Sequence, residues 1–160
     1  MSLIIATGSN IGDSLANLSE AKTLLQKKFS LLAESRVYTS AAVDYEAQPD
    51  FYNQLLEFSR PSDKSAEEVM KILLQTELEM GRRRDIPKGP RTIDIDMIFW
   101  GLSEVNTPLL TVPHPRWIKR SFIIYPLQEL PFFKTIEKCF TIPKSFDVEA
   151  LPISDSDSFN

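Results

Sequence analysis

The sequence predicts an α+β fold, an open layered sheet with helices packed against it. Three observations carry that prediction. Strand-like and helix-like segments alternate as two strand-helix-strand blocks followed by a further strand, the order that builds a layered sheet. A chain of 160 residues is long enough for one domain with a proper core and short for two. No repeat or internal domain boundary is evident, so residues 1–153 read as a single domain. Ser154-Asp155-Ser156-Asp157-Ser158 opens what reads as a disordered acidic tail over 154–160.

The first strand is expected at about Leu3 to Thr7, ended by a turn rich in Gly, Asn and Asp. Leu15, Leu18, Leu25 and Phe29 recur at helical spacing and predict a helix from about Leu15 to Phe29. Leu31 to Ser40 and Phe51 to Arg60 read as strands. The polar stretch between them is longer than a hairpin needs, and long loops in compact domains are usually functional. Ser65-x-x-Glu68 is a capping box that starts a second helix, with Val69, Met70, Leu73 and Leu78 toward the core and an end before Gly81. Thr92 to Phe99 alternates as a strand, Ile93, Ile95, Met97 and Phe99 on one face and Asp94 and Asp96 on the other. Beyond Pro131 the prolines at 131, 143 and 152 break the pattern and no element is predicted.

Composition narrows the function classes. Charged residues make up 25% of the chain, the net charge is −4 and the pI is near 5.1, which argues against a nucleic-acid partner. Arg82, Arg83, Arg84, Lys88 and Arg91 nevertheless concentrate positive charge in one stretch. The single cysteine, Cys139, cannot form an intrachain disulfide, and no Cys/His spacing reads as a zinc site. The N-terminus has no basic leader region and no run of apolar residues is long enough for a membrane span. A cytoplasmic protein is expected, and a monomer rather than a dimer.

The segment Gly89-Pro90-Arg91-Thr92-Ile93-Asp94-Ile95-Asp96 holds the densest chemistry. Two acids at strand spacing sit roughly 6.5 Å apart along the backbone, a span across which both can reach hard cations. Mg²⁺ suits them better than zinc, because it takes one or two carboxylates and fills its octahedron with water and phosphate oxygens. A bare D-x-D is also compatible with an ordinary solvent-facing strand. What shifts the balance is the cationic company on both sides: Gly81-Arg82-Arg83-Arg84 upstream, and Val112-Pro113-His114-Pro115-Arg116 with Arg120 downstream. Carboxylate-held cations beside guanidiniums are what transfer of a phosphoryl or larger phosphate unit requires.

In order and spacing these motifs resemble the 6-hydroxymethyl-7,8-dihydropterin pyrophosphokinases of folate biosynthesis. Gly8-Ser9-Asn10, Gln48-Pro49-Asp50-Phe51-Tyr52-Asn53 and Arg120-x-Phe122 match as well, so the resemblance covers about residues 3 to 130. It implies a ferredoxin-like version of the layered sheet, and an enzyme that moves the diphosphate of ATP onto a reduced pterin and releases AMP. It further implies two Mg²⁺ ions on Asp94 and Asp96. Arg82 and Arg91 would hold the triphosphate and stabilise charge on the moving group. Glu77, Arg84, Met97, Ile98, Thr111, His114 and Arg120 fall at nucleotide positions. Phe51 and Phe122 match the aromatics that sandwich the pterin, and Asn53 matches its amide-edge partner. Ser40, Ala41 and Val43 lie on the loop that contacts the same ring, which Asp94 also touches.

No side chain is an obvious general base, and His114, fixed between two prolines, is read as a phosphate-binding donor. The stretches of about Ala41 to Asp50 and Arg82 to Lys88 are expected to move and close over the substrates. Two departures from the family pattern stand out: Lys88 where an aromatic is frequent, in a short loop, and no proline after Ser40. Two other readings stay open, a metal-dependent phosphoesterase or nucleotidyl enzyme using the same acids, and a catalytically weak relative that binds nucleotide or a partner.

Overall fold

The computed structural model describes residues 1–41, 49–81 and 92–153. The expectations placed on Val43, Arg82, Arg84, Lys88, Arg91, the two closing segments and the tail therefore lie largely or wholly outside the described residues.

Among those residues the fold is mixed α/β, with an antiparallel sheet and four α-helices. Its elements run β1 (Ser2–Ser9), α1 (Ser14–Gln26), β2 (Leu31–Glu34), β3 (Tyr38–Ser40), β4 (Phe51–Ser59), α2 (Ala66–Glu79), β5 (Asp94–Trp100), β6 (Val105–Asn106), β7 (Thr111–Val112), a short 3₁₀ turn (Trp117–Lys119), α3 (Ser121–Leu127), α4 (Phe133–Ile136) and β8 (Leu151–Pro152). In the main sheet β1 lies between β4 and β5, and both β2 and β3 pair with the far edge of β4. β8 adds a last short strand to β3, while β6 and β7 form a separate ribbon.

Both faces of the sheet are covered. Leu3 and Ile5 of β1 pack with Leu18, Ala21 and Leu25 of α1 and Val69 and Leu73 of α2. Ile4, on the opposite face, joins Leu55, Ile123, Ile124 and Leu127, so α3 and the segment after it form a third layer. A β1 strand buried on both sides explains why its run of apolar residues is continuous rather than alternating.

Helix boundaries follow local chemistry. Asp13 accepts the Ala16 N–H and starts α1. The predicted capping box is present at α2, where Ser65 accepts the Glu68 N–H and Glu68 accepts the Ser65 N–H. That helix ends before Gly81, whose φ of 79° suits glycine.

Four expectations need correction. Leu78 is exposed, because the buried stripe of α2 runs Ala66, Val69, Leu73, Thr76 and Glu77 and leaves position 78 off it. Leu31 to Ser40 is two strands rather than one. Ser35 interrupts it, its hydroxyl accepting the Leu55 N–H while its carbonyl accepts the Gln54 side chain. Phe99 does not share a face with Ile93, Ile95 and Met97. The register slips between Ile4 and Ile5, so Ile98 is an extra residue opposite β1, and the alternation reverses from there. Phe99 consequently packs with Ile4 and Trp117, and Trp100 turns to the α1/α2 side. Finally, the region after Pro131 is structured, with α4, an ordered C-terminal segment and β8.

Candidate active site

The alternation of β5 holds through Met97, and this places Asp94 and Asp96 together. Ile93, Ile95 and Met97 are buried in the α1/α2 core, while both acids are half-buried on the opposite face. Directly across on β1 stand small residues: Gly8 pairs with Asp94, and Ala6 pairs with Asp96. The floor beside the two carboxylates is therefore low, which leaves room above the strand for a cation and its ligands.

One strand further, Gly8 pairs with Asn53 and Ala6 with Leu55. Asn53 has the same sheet-face parity as Leu55 and so faces the same way as the acids. Its Nδ2 donates to Ser40 Oγ at 3.3 Å, and both residues are buried. Its Oδ1 lies over Gly8, only 2.8 Å from where a Cβ on that residue would sit. Phe51, also of that parity and half-buried, pairs with Ser40. Asn10, which is buried, donates to the Pro49 carbonyl at 3.1 Å and so holds the entry to β4 against the turn after β1. Ala41 is exposed at the end of β3.

The third side is built from the segment before α3. The His114 N–H donates to the Ile98 carbonyl at 3.0 Å, which fixes that loop to β5. Burial pushes the His114 imidazole down to about 4; the Arg120 charge adds to the shift, Asp94 opposes it, and Arg116 contributes in the same sense as Arg120. His114 is neutral at physiological pH. Its Nδ1 accepts the Arg116 N–H at 3.2 Å, which leaves the proton on Nε2 as a donor. The Arg120 guanidinium lies 5.4 Å from the centre of the Phe122 ring, a cation–π contact that groups these two side chains.

The structure thus gathers Asp94, Asp96, Asn53, Ser40, Phe51, His114, Arg120 and Phe122 at one face and one end of the sheet. The remaining expected residues are placed differently. Glu77 is buried, and its Oε2 accepts the Ile95 N–H at 2.7 Å on the outer edge of β5. Met97 and Ile98 bury their side chains in the two cores, so neither is presented at the surface. Thr111 is exposed on the β6–β7 ribbon, where its hydroxyl donates to Asn106 at 3.4 Å.

Two contributors escaped the sequence reading. Gly8 was visible in Gly8-Ser9-Asn10, and a glycine inside a strand is a general sign of close approach by another group. Ala6 carries no such signal. Its value lies in the register, which sequence does not print.

Among the described residues no group of three or more His, Cys, Asp and Glu side chains is arranged to hold a metal. Two half-buried carboxylates with open floor beside them suit an ion that completes its shell with water and phosphate oxygens, as Mg²⁺ does. No helix of the described residues is long and apolar enough to cross a membrane.

Comparison with known proteins gives a concordant result. A model of the 7,8-dihydro-6-hydroxymethylpterin-pyrophosphokinase family matches residues 4–131. The chain is 36% identical over 128 residues to the 2-amino-4-hydroxy-6-hydroxymethyldihydropteridine pyrophosphokinase of Bacillus subtilis, covering 79% of this chain and 75% of that one. It is 36% identical over 126 residues to the protein of the same name from Aquifex aeolicus, covering 79% and 78%. Against the mitochondrial folate synthesis bifunctional protein of Pisum sativum the identity is 37% over 130 residues, and the match spans 25% of that longer protein.

Proposed function

The chain belongs to the 7,8-dihydro-6-hydroxymethylpterin-pyrophosphokinase family, and from that premise we propose that the site above carries its diphosphate transfer. As a member it is a pyrophosphokinase of folate synthesis, with ATP as co-substrate. In the proposed reaction the hydroxymethyl oxygen of 6-hydroxymethyl-7,8-dihydropterin forms a bond to the β-phosphorus of ATP. The bond between that phosphorus and the α,β-bridging oxygen breaks, AMP leaves with the electron pair, and the hydroxyl proton is lost to solvent.

The observation that supports this reading best is the shared face. Asp94 and Asp96 on β5, Asn53 on β4 and Ser40 on β3 stand along one surface with Gly8 and Ala6 between them. Asp94 and Asp96 would hold Mg²⁺, in our reading two ions, and when bound these supply neutralisation of the triphosphate oxygens. His114, neutral with its proton on Nε2, is a hydrogen-bond donor to phosphate rather than a base. Arg120 adds a fixed positive charge beside it. Arg82, Arg84 and Arg91 belong to the same proposal as triphosphate ligands.

On the pterin side, Asn53 reads the amide edge with Ser40 as its brace, and Phe51 and Phe122 offer ring faces to a flat heterocycle. The phosphoesterase alternative has no use for such a ring pocket. Glu77 has a clear task in holding β5, and this supports a role in placing Asp94 and Asp96 in addition to bordering the nucleotide.

We also read the fold as ferredoxin-like. Counting β2 and β3 as one interrupted strand, the order β5-β1-β4-β2/β3 with α1 and α2 on one face supports that assignment. The test of function is incubation with ATP, Mg²⁺ and the hydroxymethyl pterin. Stoichiometric AMP and pterin diphosphate are expected, and Asp96→Ala should abolish both. Formation of ADP or free phosphate would overturn the reading, and normal turnover of Asp96→Ala would refute the metal assignment.

A further inference from the structure

The segment after the family match has a definite place in the fold. From Phe146 to Ile153 it runs across α3 and ends on β3 and on Val37 just before it. Ser121, 1% exposed, uses its hydroxyl twice: Oγ donates to the Val148 carbonyl at 2.6 Å and accepts the Ala150 N–H at 2.8 Å. The Glu149 carboxylate accepts from the Tyr125 hydroxyl and from the Phe146 N–H, and the Tyr125 ring meets Phe146 edge-on at 5.4 Å. Leu151 and Pro152 then pair with Thr39 and Tyr38, and the Ile153 N–H donates to the Val37 carbonyl at 3.0 Å.

Both elements so joined carry proposed pterin contacts. Ser121 lies in the chain between Arg120 and Phe122, at the first turn of α3. β3 ends in Ser40, the brace of Asn53. The far end of α3 is tied independently: Glu129, just beyond it, accepts from the Tyr38 hydroxyl and from the Arg36 N–H and guanidinium. With that end pinned, the turn bearing Phe122 is held in place at its own end by Ser121 and the segment that Ser121 grips.

We propose that residues 146–153 are a strap that sets the distance between Phe122 and the Asn53–Ser40 edge, with Ser121 as its positioning residue. This rests on the reading of Phe122 and Asn53 as pterin contacts. The family match stops at residue 131, so the strap lies outside the matched region while the walls of the slot lie within it. Neither Ser121 nor the strap touches substrate. Their effect is on the binding of one substrate and not on the phosphate end of the site.

The test compares five variants of the full chain by steady-state kinetics with each substrate varied. Ser121→Ala and the surface variant Glu149→Ala should each raise KM for the pterin by about tenfold, the effect of a displacement well short of the misplacement of about 1 Å that can cost about a hundredfold. KM for ATP and kcat should stay within about twofold, a split that a general loss of folded enzyme does not give. Glu149→Gln, which retains an acceptor, should recover most of the loss. Phe122→Ala and Asn53→Ala serve as the reference pair. If these two raise the pterin KM while Ser121→Ala and Glu149→Ala leave it unchanged, the strap proposal is overturned and the slot reading stands. If the reference pair leaves the pterin KM unchanged, the slot reading itself falls.

Discussion

Replacing Gly8 by alanine is the most direct trial of how the pterin edge is built. The strand conformation at Gly8 is one that alanine adopts without strain, so the backbone has no reason to move. The added Cβ, however, would sit 2.8 Å from Asn53 Oδ1, closer than real Cβ contacts come. Asn53 must give way, and it is buried and bonded to Ser40, so its amide turns or lifts away from the sheet. The loss expected is that of the amide-edge hydrogen bonds to the pterin, about 1–3 kcal/mol, or roughly 5- to 150-fold in kcat/KM for that substrate. KM for ATP should change less than KM for the pterin, because the nearest atoms the added Cβ meets belong to Asn53 and Tyr52 and not to Asp94 across the pair. Steady-state kinetics of Gly8→Ala, Asn53→Ala and the double variant separate direct from indirect effects. If Gly8 acts through Asn53, the alanine at position 8 costs little once Asn53 is already truncated, a strongly non-additive cycle. Additive losses, or an unchanged pterin KM in Gly8→Ala, would refute the reasoning.

Two further predictions follow from the same geometry. His114 is the single histidine, so its proton NMR titration in metal-free enzyme is unambiguous; the midpoint should lie near 4, well below the ordinary 6.5. Because the fold favours the neutral ring, this stabilisation is complete above about pH 6.5 and is lost as pH falls toward 4, where the unfolded chain has taken up its proton first. A midpoint at 6.5 would mean that His114 is not held as described. Glu77→Ala strips the acceptor from the Ile95 N–H at the buried edge of β5. Its cost should be about 1–3 kcal/mol, or a fall in Tm of roughly 2–12 °C, whereas Glu77→Gln, which keeps an acceptor, should lose much less. Equal melting of the alanine variant and the parent would remove Glu77 from the support of β5.

How far the sequence could be read depended on how local each signal was. The capping box at Ser65, the helix stop at Gly81 and the alternation from Ile93 to Met97 are written in adjacent residues, and the structure contains all three. The break at Ser35 and the extra residue at Ile98 arise from pairing with strands distant in the chain, and no local pattern announces them. α3 was missed because it is short and contains Pro126, a residue that reads as a helix breaker outside the first turn. Leu78 and Glu77 exchanged their expected places for a related reason. Hydrophobicity ranks leucine inward, but the stripe set by Val69 and Leu73 reaches position 77, where an unmet N–H on the edge of β5 makes a carboxylate the better occupant.

The slip at Ile98 bears directly on the site. Upstream of it, alternation puts the apolar residues of β5 against α1 and α2 and leaves the other face of the strand to Asp94 and Asp96. Downstream, the reversed phase turns Phe99 onto that same face, where it packs on Trp117, at 5.0 Å between ring centres, and on Phe132. One strand therefore presents carboxylates at one end of a face and an aromatic anchor at the other. The anchor holds the 3₁₀ turn of Trp117, which leads into Arg120 and Phe122, while the Ile98 carbonyl holds His114. An uninterrupted β5 would have buried Phe99 with Met97 and left the segment carrying His114, Arg120 and Phe122 without that support. The irregularity in the strand is thus what allows the acids and the residues facing them to be fixed by the same element.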